Sequence, residues 1–169
     1  ASNQCPQYYT LNIDETGEST LFIFENTITS LNIGDEIGIF DSAGYLDGNG
    51  TVGELLVGAG VWDGTQLEIV AIMGEDLSDF GGPILPGAIS GNQAVLKIWK
   101  SFDGLEIIVP EYQISSGSGT FNELFTAISE IYIDENLFGC TDEEACNFDS
   151  NAQINNGTCE YPENNFNCD

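Results

Sequence analysis

Short apolar runs separated by turn residues cover most of the chain. They are rich in Ile, Val, Phe, Tyr and Thr, which favour extended strands, and Gly, Asn and Asp fall between nearly all of them. No helical pattern separates the runs, so they predict an all-β fold, an antiparallel β-sandwich of the jelly-roll or immunoglobulin-like kind. The predicted strands are residues 8–13, 19–25, 36–41, 55–62, 67–73, 94–101 and 105–114.

Two Asp-Gly pairs predict hairpins between these strands. Asp63-Gly64 lies between the fourth and fifth predicted strands, and Asp103-Gly104 lies between the sixth and seventh. An Asp-Gly pair supplies the positive φ values that a two-residue hairpin turn requires. We therefore expect each of these strand pairs to be a contiguous antiparallel hairpin.

Two segments interrupt the strand pattern. Residues 76–91 contain two prolines and four glycines, which predicts a long loop rather than a helix or a long strand. After the linker-like residues 115–120, apolar residues first follow a helical spacing and then alternate. We expect an irregular start in this segment and a last strand that ends near Ile133.

The C-terminal part of the chain has a different composition. Residues 138–161 contain three cysteines and many Asp and Asn side chains but almost no apolar core residues, so burial alone cannot fold them. Ordered segments of this kind are held by disulfides, by bound cations or by both. We expect a sandwich domain, residues 1–134, and a small disulfide-bonded, Cys-rich appendage, residues 135–169, in a protein that works outside the cytosol.

The charge and the lack of histidine argue against several kinds of partner and against enzymatic activity. The 169 residues include 28 Asp and Glu but only Lys97 and Lys100 as cations, giving a net charge of -26 with no histidine. Such an acidic chain disfavours nucleic acid and anionic membranes as partners, and no apolar run is long enough for membrane insertion. Because serine and cysteine triads would lack their usual base, we predict no enzymatic activity.

The five cysteines include no Cys-x-x-Cys pair, which favours disulfides over a zinc or redox site. The residues around three of them resemble a short Cys-rich repeat, GCTDxxACNYxxxAxxDDGSC, found in large secreted proteins of marine bacteria. That repeat is itself similar to thrombospondin type 3 calcium repeats. The matching residues are Gly139, Cys140, Thr141, Asp142, Ala145, Cys146, Asn147, Phe148, Ala152, Asn156, Gly157, Thr158 and Cys159.

The resemblance to this repeat implies a pairing of the cysteines. In the repeat the first and third cysteines remain when the middle one is absent, which implies a Cys140–Cys159 bridge. Cys146 would then pair with Cys168. Cys5 is left over, which suggests a partner in another chain or in a neighbouring module.

A looser resemblance covers residues 34–104. The segments GDEIGIFDSAG, LLVGAGVWDG and AVLKIWKSFDG are similar to β-sandwich modules that recur in surface proteins of marine bacteria. This resemblance implies an architecture more than an activity.

Calcium is the metal that these patterns favour, because it accepts six to eight oxygen ligands in irregular geometry. The chain has Asn155-Asn156-Gly157 where the repeat has DDG, so two carboxylates are missing there. The alternative is that the candidate ligands are turn residues chosen for backbone geometry. The candidates are Asp142, Asn147, Asp149, Asn151 and Asn155 in the appendage and Asp41, Asp47, Asn49 and Glu54 in the sandwich.

Carbohydrate binding is the alternative function. Sandwich modules bind sugars through exposed aromatic rings, and Trp62 and Trp99 are the candidate sugar contacts in this chain. Both lie in predicted strands, where packing in the core is the usual fate of an aromatic side chain.

These patterns predict a non-catalytic module, extracellular or on the cell surface, with a structural or adhesive role and stabilised by calcium and disulfides. It would be a repeat unit of a long protein or a subunit of a filament, with copies of itself, neighbouring modules or surface glycans as partners. We expect head-to-tail contacts between copies, because a self-matching two-fold contact closes and stops growth.

Overall fold

The computed structural model describes residues 6–162, apart from the side chain of Glu135. This part of the chain is nearly all β, as predicted, with two short 3-10 helices at Ser78–Phe80 and Glu135–Leu137. No helix among the described residues has the length and apolar character needed to cross a membrane. The strands are β1 (Ser19–Phe24), β2 (Glu36–Tyr45), β3 (Val52–Val61), β4 (Leu67–Ile72), β5 (Glu75–Asp76), β6 (Ile84–Leu85), β7 (Ala94–Lys100), β8 (Leu105–Ile108), β9 (Glu111–Ser116), β10 (Phe125–Tyr132), β11 (Phe138–Gly139) and β12 (Ile154–Asn155).

Two four-stranded sheets pack together as a sandwich, which confirms the predicted architecture. Sheet I has the strand order β4-β1-β10-β9, and sheet II has the order β3-β2-β7-β8. All pairs within the two sheets are antiparallel except β1 and β10, which run parallel. The inner faces of both sheets supply the core, including Phe22, Phe24, Ile37, Ile39, Val57, Leu96, Ile98, Ile128 and Ile131.

The long predicted strand 105–114 is divided at Pro110. Its first part, β8, pairs with β7 in sheet II, and its second part, β9, pairs with β10 in sheet I. Because proline has no N–H to donate to a ladder, the chain leaves one sheet here and enters the other.

The hairpin prediction is right for one Asp-Gly pair and wrong for the other. β7 and β8 are antiparallel neighbours, and Lys100 pairs with Leu105 across a loop of residues 101–104 rather than a two-residue turn. By contrast, β3 pairs with β2 and β4 pairs with β1, so the chain changes sheets after Asp63-Gly64.

Glycines in β3 explain how the chain turns this corner. A Cβ atom at Gly60 would lie 2.9 Å from Ile69 Cγ1, and one at Gly58 would lie 3.0 Å from the Val70 carbonyl oxygen. The missing side chains therefore let β3 approach β4 across the edge of the sandwich. The Asp63 carboxylate accepts the Thr65 N–H at 2.9 Å, which makes a local turn rather than a hairpin.

The remaining connections fit the sequence in part. The connection 76–91 is mostly irregular, as expected, but it also contains the 3-10 helix Ser78–Phe80 and the β5–β6 pair. The irregular start after residue 120 is also present, because β10 begins only at Phe125 and ends at Tyr132. The first predicted strand, residues 8–13, does not form, since residues 6–9 dock on sheet II through other contacts.

Candidate functional site

The appendage is organised around a disulfide. Cys140 and Cys159 are bonded, with their Cα atoms 4.9 Å apart, as the repeat implied. Between residues 138 and 162, Cys140, Ala145 and Ile154 are the buried side chains. β11 and β12 add a short parallel pair with Phe138 opposite Ile154. The cystine therefore compensates for the lack of a hydrophobic core.

The other cysteines lie partly outside the described residues. Cys146 is also disulfide-bonded. Cys5 and Cys168 fall outside residues 6–162, so the Cys146–Cys168 bridge and an external partner for Cys5 stay predictions.

The Asp and Asn side chains of the appendage close backbone turns. The Oδ1 atoms of Asp142, Asp149 and Asn155 each accept the N–H of the residue two positions later, at 2.8–2.9 Å. This arrangement is an Asx turn, in which a side chain supplies the acceptor that a strand or helix would otherwise provide. The backbone is thus satisfied in a segment with almost no regular secondary structure.

The five predicted calcium ligands of the appendage all take part in hydrogen bonds that hold its backbone. Asn147 bridges two segments, since its side-chain amide donates to the Thr158 carbonyl at 2.6 Å and its Oδ1 accepts the Glu160 N–H at 2.8 Å. Asn151 gives its backbone N–H to Asp149. Among the described residues, no three His, Cys, Asp or Glu side chains form a group that could hold a metal ion. The geometry therefore fits the turn interpretation, and calcium in the appendage stays a proposal.

A hydrogen bond ties the last described residues to the start of the appendage. The Tyr161 hydroxyl donates to Asp142 Oδ2 at 2.7 Å. This bond lowers the pKa of Asp142 and raises the pKa of Tyr161. Asp142 therefore holds both its own turn and the end of the described chain.

The four sandwich residues proposed as a calcium loop are engaged in separate contacts. Asp41 is fully buried in β2 and accepts hydrogen bonds from the backbones of Ala43 and Ile89 and the side chain of Asn92. The Asp47 carboxylate instead closes the β2–β3 turn by accepting the N–H groups of Asn49, at 2.8 Å, and Thr51. Glu54 forms an ion pair with Lys97 at 2.6 Å. Asp41, Asp47 and Glu54 are thus held by different partners, and calcium at this loop stays a prediction.

The two tryptophans have unequal roles. Trp62 is 3% exposed and belongs to the core, so its assignment as a sugar contact is wrong. The sequence alone does not reveal this burial, because side chains in a strand alternate between its two faces and the sequence does not say which face is inside. Trp99 lies on the outer face of sheet II, where the Tyr8 ring stacks on it at a centroid distance of 3.8 Å and an angle of 5°.

Residues 6–9 dock on the outer face of sheet II, a feature that sequence reasoning missed. The buried Glu36 carboxylate accepts the backbone N–H groups of Gln7, Tyr8 and Tyr9 at 2.7–3.1 Å. Hydrogen bonds to an ionised acceptor are stronger than neutral ones. One carboxylate thus holds three consecutive residues without a strand pairing.

Aromatic packing completes this docking site. The Tyr9 ring lies over Gly38, where an added Cβ atom would come within 3.1 Å of it, and meets Phe40 edge-on at 5.7 Å. The Tyr8 hydroxyl donates to Glu106 at 2.8 Å, which raises the pKa of Tyr8. Burial raises the pKa of Tyr9, so both hydroxyls stay protonated near neutral pH.

Both lysines of the chain are engaged by carboxylates. Lys97 lies 2.6 Å from Glu54 and 3.8 Å from Glu106, with its ammonium 4.4 Å from the centre of the Phe40 ring. Lys100 is buried and lies 2.5 Å from the equally buried Asp35. Neither lysine is thus left to offset the acidic surface.

A sequence signal for the docking site exists. Phe40 and Trp99 alternate with the buried Ile39 and Ile98, so they occupy outward positions on neighbouring strands. Large aromatic rings on an outward face suggest that something covers it. The covering segment itself could not be identified in this way, because Tyr8 and Tyr9 have the composition of a strand.

No protein-family model matches the chain, and neither a curated protein nor a solved structure is significantly similar to it. The fold and the site define a class, an acidic β-sandwich with a disulfide-bonded appendage.

Proposed function

We propose that this chain is a non-catalytic extracellular module with a structural or adhesive role, a repeat unit or subunit of a surface assembly stabilised by disulfides and calcium. The observation that carries the proposal is the Cys140–Cys159 bond in an appendage whose described residues include only three buried side chains. Because the cytosol keeps thiols reduced, an appendage that relies on a cystine is suited to an oxidising environment.

The charge distribution supports assembly that depends on cations. The net charge is -26, and the buried or ion-paired state of both lysines leaves most carboxylates without a cationic neighbour. Copies of such a chain repel each other at low ionic strength. Divalent cations that bridge carboxylates of two copies would turn this repulsion into attraction.

Electron microscopy and sedimentation velocity of the oxidised chain test the proposal. The chain is compared in calcium chloride, in a chelator, and in sodium chloride of matched ionic strength. We expect polymers in calcium and single chains in the chelator. Single 18.2 kDa chains in every buffer would contradict the assembly function.

The sodium chloride sample separates calcium binding from general screening. Equal assembly in sodium chloride would remove calcium from the proposal. A matched pair of variants locates the ion: Asp142→Asn with Asp149→Asn in the appendage, against Asp14→Asn with Asp103→Asn outside it. We expect only the first pair to weaken the calcium response.

The carbohydrate alternative has no observation in its favour. Trp62 is buried, and Tyr8 occupies one face of Trp99. Binding on a glycan array that is lost in Trp99→Ala would restore it.

A further inference from the structure

The docked segment, residues 6–9, is held by a compact set of contacts on a separate element. Its partners are Glu36 on β2, which binds three backbone N–H groups, and Trp99 on β7, which stacks on Tyr8. Glu106 on β8 adds the hydrogen bond to the Tyr8 hydroxyl. No strand ladder joins the described part of this segment to either sheet. The docked segment and its receptor, the outer face of sheet II, are therefore two separable surfaces.

A mostly exposed linker connects the docked segment to the sandwich. Residues 10–15 are exposed except for the half-buried Leu11 and Ile13, and Ile13 packs against the hydrophobic core of the sandwich. A second attachment follows at Thr16, whose hydroxyl donates to the Met73 carbonyl at 2.6 Å. The three residues between the docked segment and Ile13 reach about 10 Å when extended. Such a linker allows the docked segment to leave its own receptor without disturbing β1, which begins at Ser19.

We propose that residues 6–9 of one copy dock on the outer face of sheet II of another copy. This inference rests on the proposed assembling function and gives it a defined contact. The exchanged contact repeats every interaction of the segment within one chain, so it needs no new complementarity. Because a segment meets a different surface, exchange in one direction continues head-to-tail, whereas mutual exchange closes a dimer.

Docking of the segment within its own chain competes with docking on another copy, and this competition would control exchange. A tethered segment experiences an effective concentration of its own receptor of about 1 mM, so isolated chains in dilute solution keep the contact internal. Repulsion between copies of charge -26 adds to this preference. Exchange is therefore favoured by high local concentration and by salt or cations, which are the conditions of a surface assembly.

Complementary variants of the full chain test the exchange. The receptor-deficient variant carries Glu36→Gln and Trp99→Ala and keeps the segment. The segment-deficient variant carries Tyr8→Ala and Tyr9→Pro, which removes both rings and one N–H donor, and keeps the receptor. Neither variant alone has both a segment and a receptor that can form the contact. In a mixture, one contact can form between the two chains of each pair.

Sedimentation equilibrium of the mixture at about 1 mM total chain, in chelator and 0.5 M sodium chloride, provides the readout. We expect the mean mass to rise towards twice the 18.2 kDa of one chain in the mixture, while each variant alone stays at one chain. A segment that stays docked within its own chain, at an effective receptor concentration of about 1 mM, must bind with a dissociation constant of about 1 mM or less. A mixture that remains at one chain mass therefore overturns the proposal.

Two controls keep the result interpretable. In a matched control mixture, the receptor-deficient variant is replaced by a chain that carries Glu18→Gln alone, which removes a charge outside the receptor. This chain keeps Glu36 and Trp99, so its segment stays docked within its own chain and the mixture should not associate. If a double variant does not unfold cooperatively, the single changes Tyr8→Ala and Trp99→Ala are used in its place. Because the buffer contains no calcium, exchange can succeed while calcium-dependent assembly fails, and the two failures are distinguishable.

Discussion

At the scale of residues, the buried Lys100–Asp35 pair joins two connections at one end of the sandwich, β1–β2 and β7–β8. Asp35 accepts the N–H of Asn32 at 2.8 Å and that of Ser101 at 3.2 Å, in addition to the Lys100 ammonium. Lys100 also donates to the Ser30 carbonyl at 3.2 Å. Each charge is thus paired and hydrogen-bonded, which is the condition under which a buried ion pair is tolerated.

Breaking this pair should destabilise the sandwich strongly. We expect Lys100→Met to lower the free energy of unfolding by about 3–5 kcal/mol, because it leaves the Asp35 carboxylate buried without a cation. Adding Asp35→Asn to that change should recover part of the loss. Urea unfolding measures both effects. The control Lys97→Met removes a more exposed pair and should cost about 1 kcal/mol or less, so equal losses at the two lysines would contradict the argument.

At the scale of elements, the appendage depends on its cystine and on Asx turns, whereas the sandwich depends on its core. The bond between Cys140 and Cys159 closes a loop with a sequence separation of 19. Closing a loop of this length stabilises a folded segment by about 3 kcal/mol through the entropy of the unfolded chain. Few buried side chains oppose unfolding of the appendage once the bond is removed.

Replacing Cys140 and Cys159 by serine should therefore unfold the appendage and leave the sandwich folded. Hydrogen exchange should lose protection at the Asp149 N–H, which donates to the Cys140 carbonyl at 2.9 Å. Protection in β2 and β7, which lie inside sheet II, should persist. Unchanged exchange throughout residues 138–162 would show that the turns and the Cys146 disulfide hold the appendage without this bond.

At the scale of the whole molecule, acidity governs how stability depends on pH. Hydrogen bonds from hydroxyl groups lower the pKa of several exposed carboxyls, with Thr65 acting on Asp63, Tyr161 on Asp142 and Ser118 on Glu123. A carboxyl whose pKa is lower in the folded state stabilises the fold above its unfolded pKa. That contribution disappears as the pH falls through the folded value.

The melting temperature should therefore be nearly constant from pH 7 to about pH 5 and fall below about pH 4, near the ordinary value of 3.8 for Asp. Calorimetry in 0.5 M sodium chloride, which screens the general repulsion, measures this profile. Asp142→Asn should flatten the fall in the acid range relative to Asp14→Asn. A melting temperature that rises on acidification would show that relief of repulsion outweighs these hydrogen bonds.

The sequence predicted the elements better than their partners. Alternation in residues such as Leu96 and Ile98 is a local property, so strands β1 to β4 and β7 could be located from it. The Asp63-Gly64 connection and the docking of Tyr8 depend on contacts between distant residues. An Asp-Gly pair occurs both in hairpins and at corners between sheets, and a tyrosine-rich run can form either a strand or a docked segment. The local sequence does not distinguish these structures.

The sequence by itself determined an all-β chain of extreme acidity and an appendage that needs a covalent link, because these follow from local periodicity, from charge and from a lack of apolar side chains. The tertiary structure alone decided that Trp62 is buried, that Asp41 and Glu54 are engaged in separate contacts, and that Glu36 holds residues 6–9. Local propensity acts between neighbours in the chain, whereas burial and carboxylate partners are chosen by how the two sheets pack.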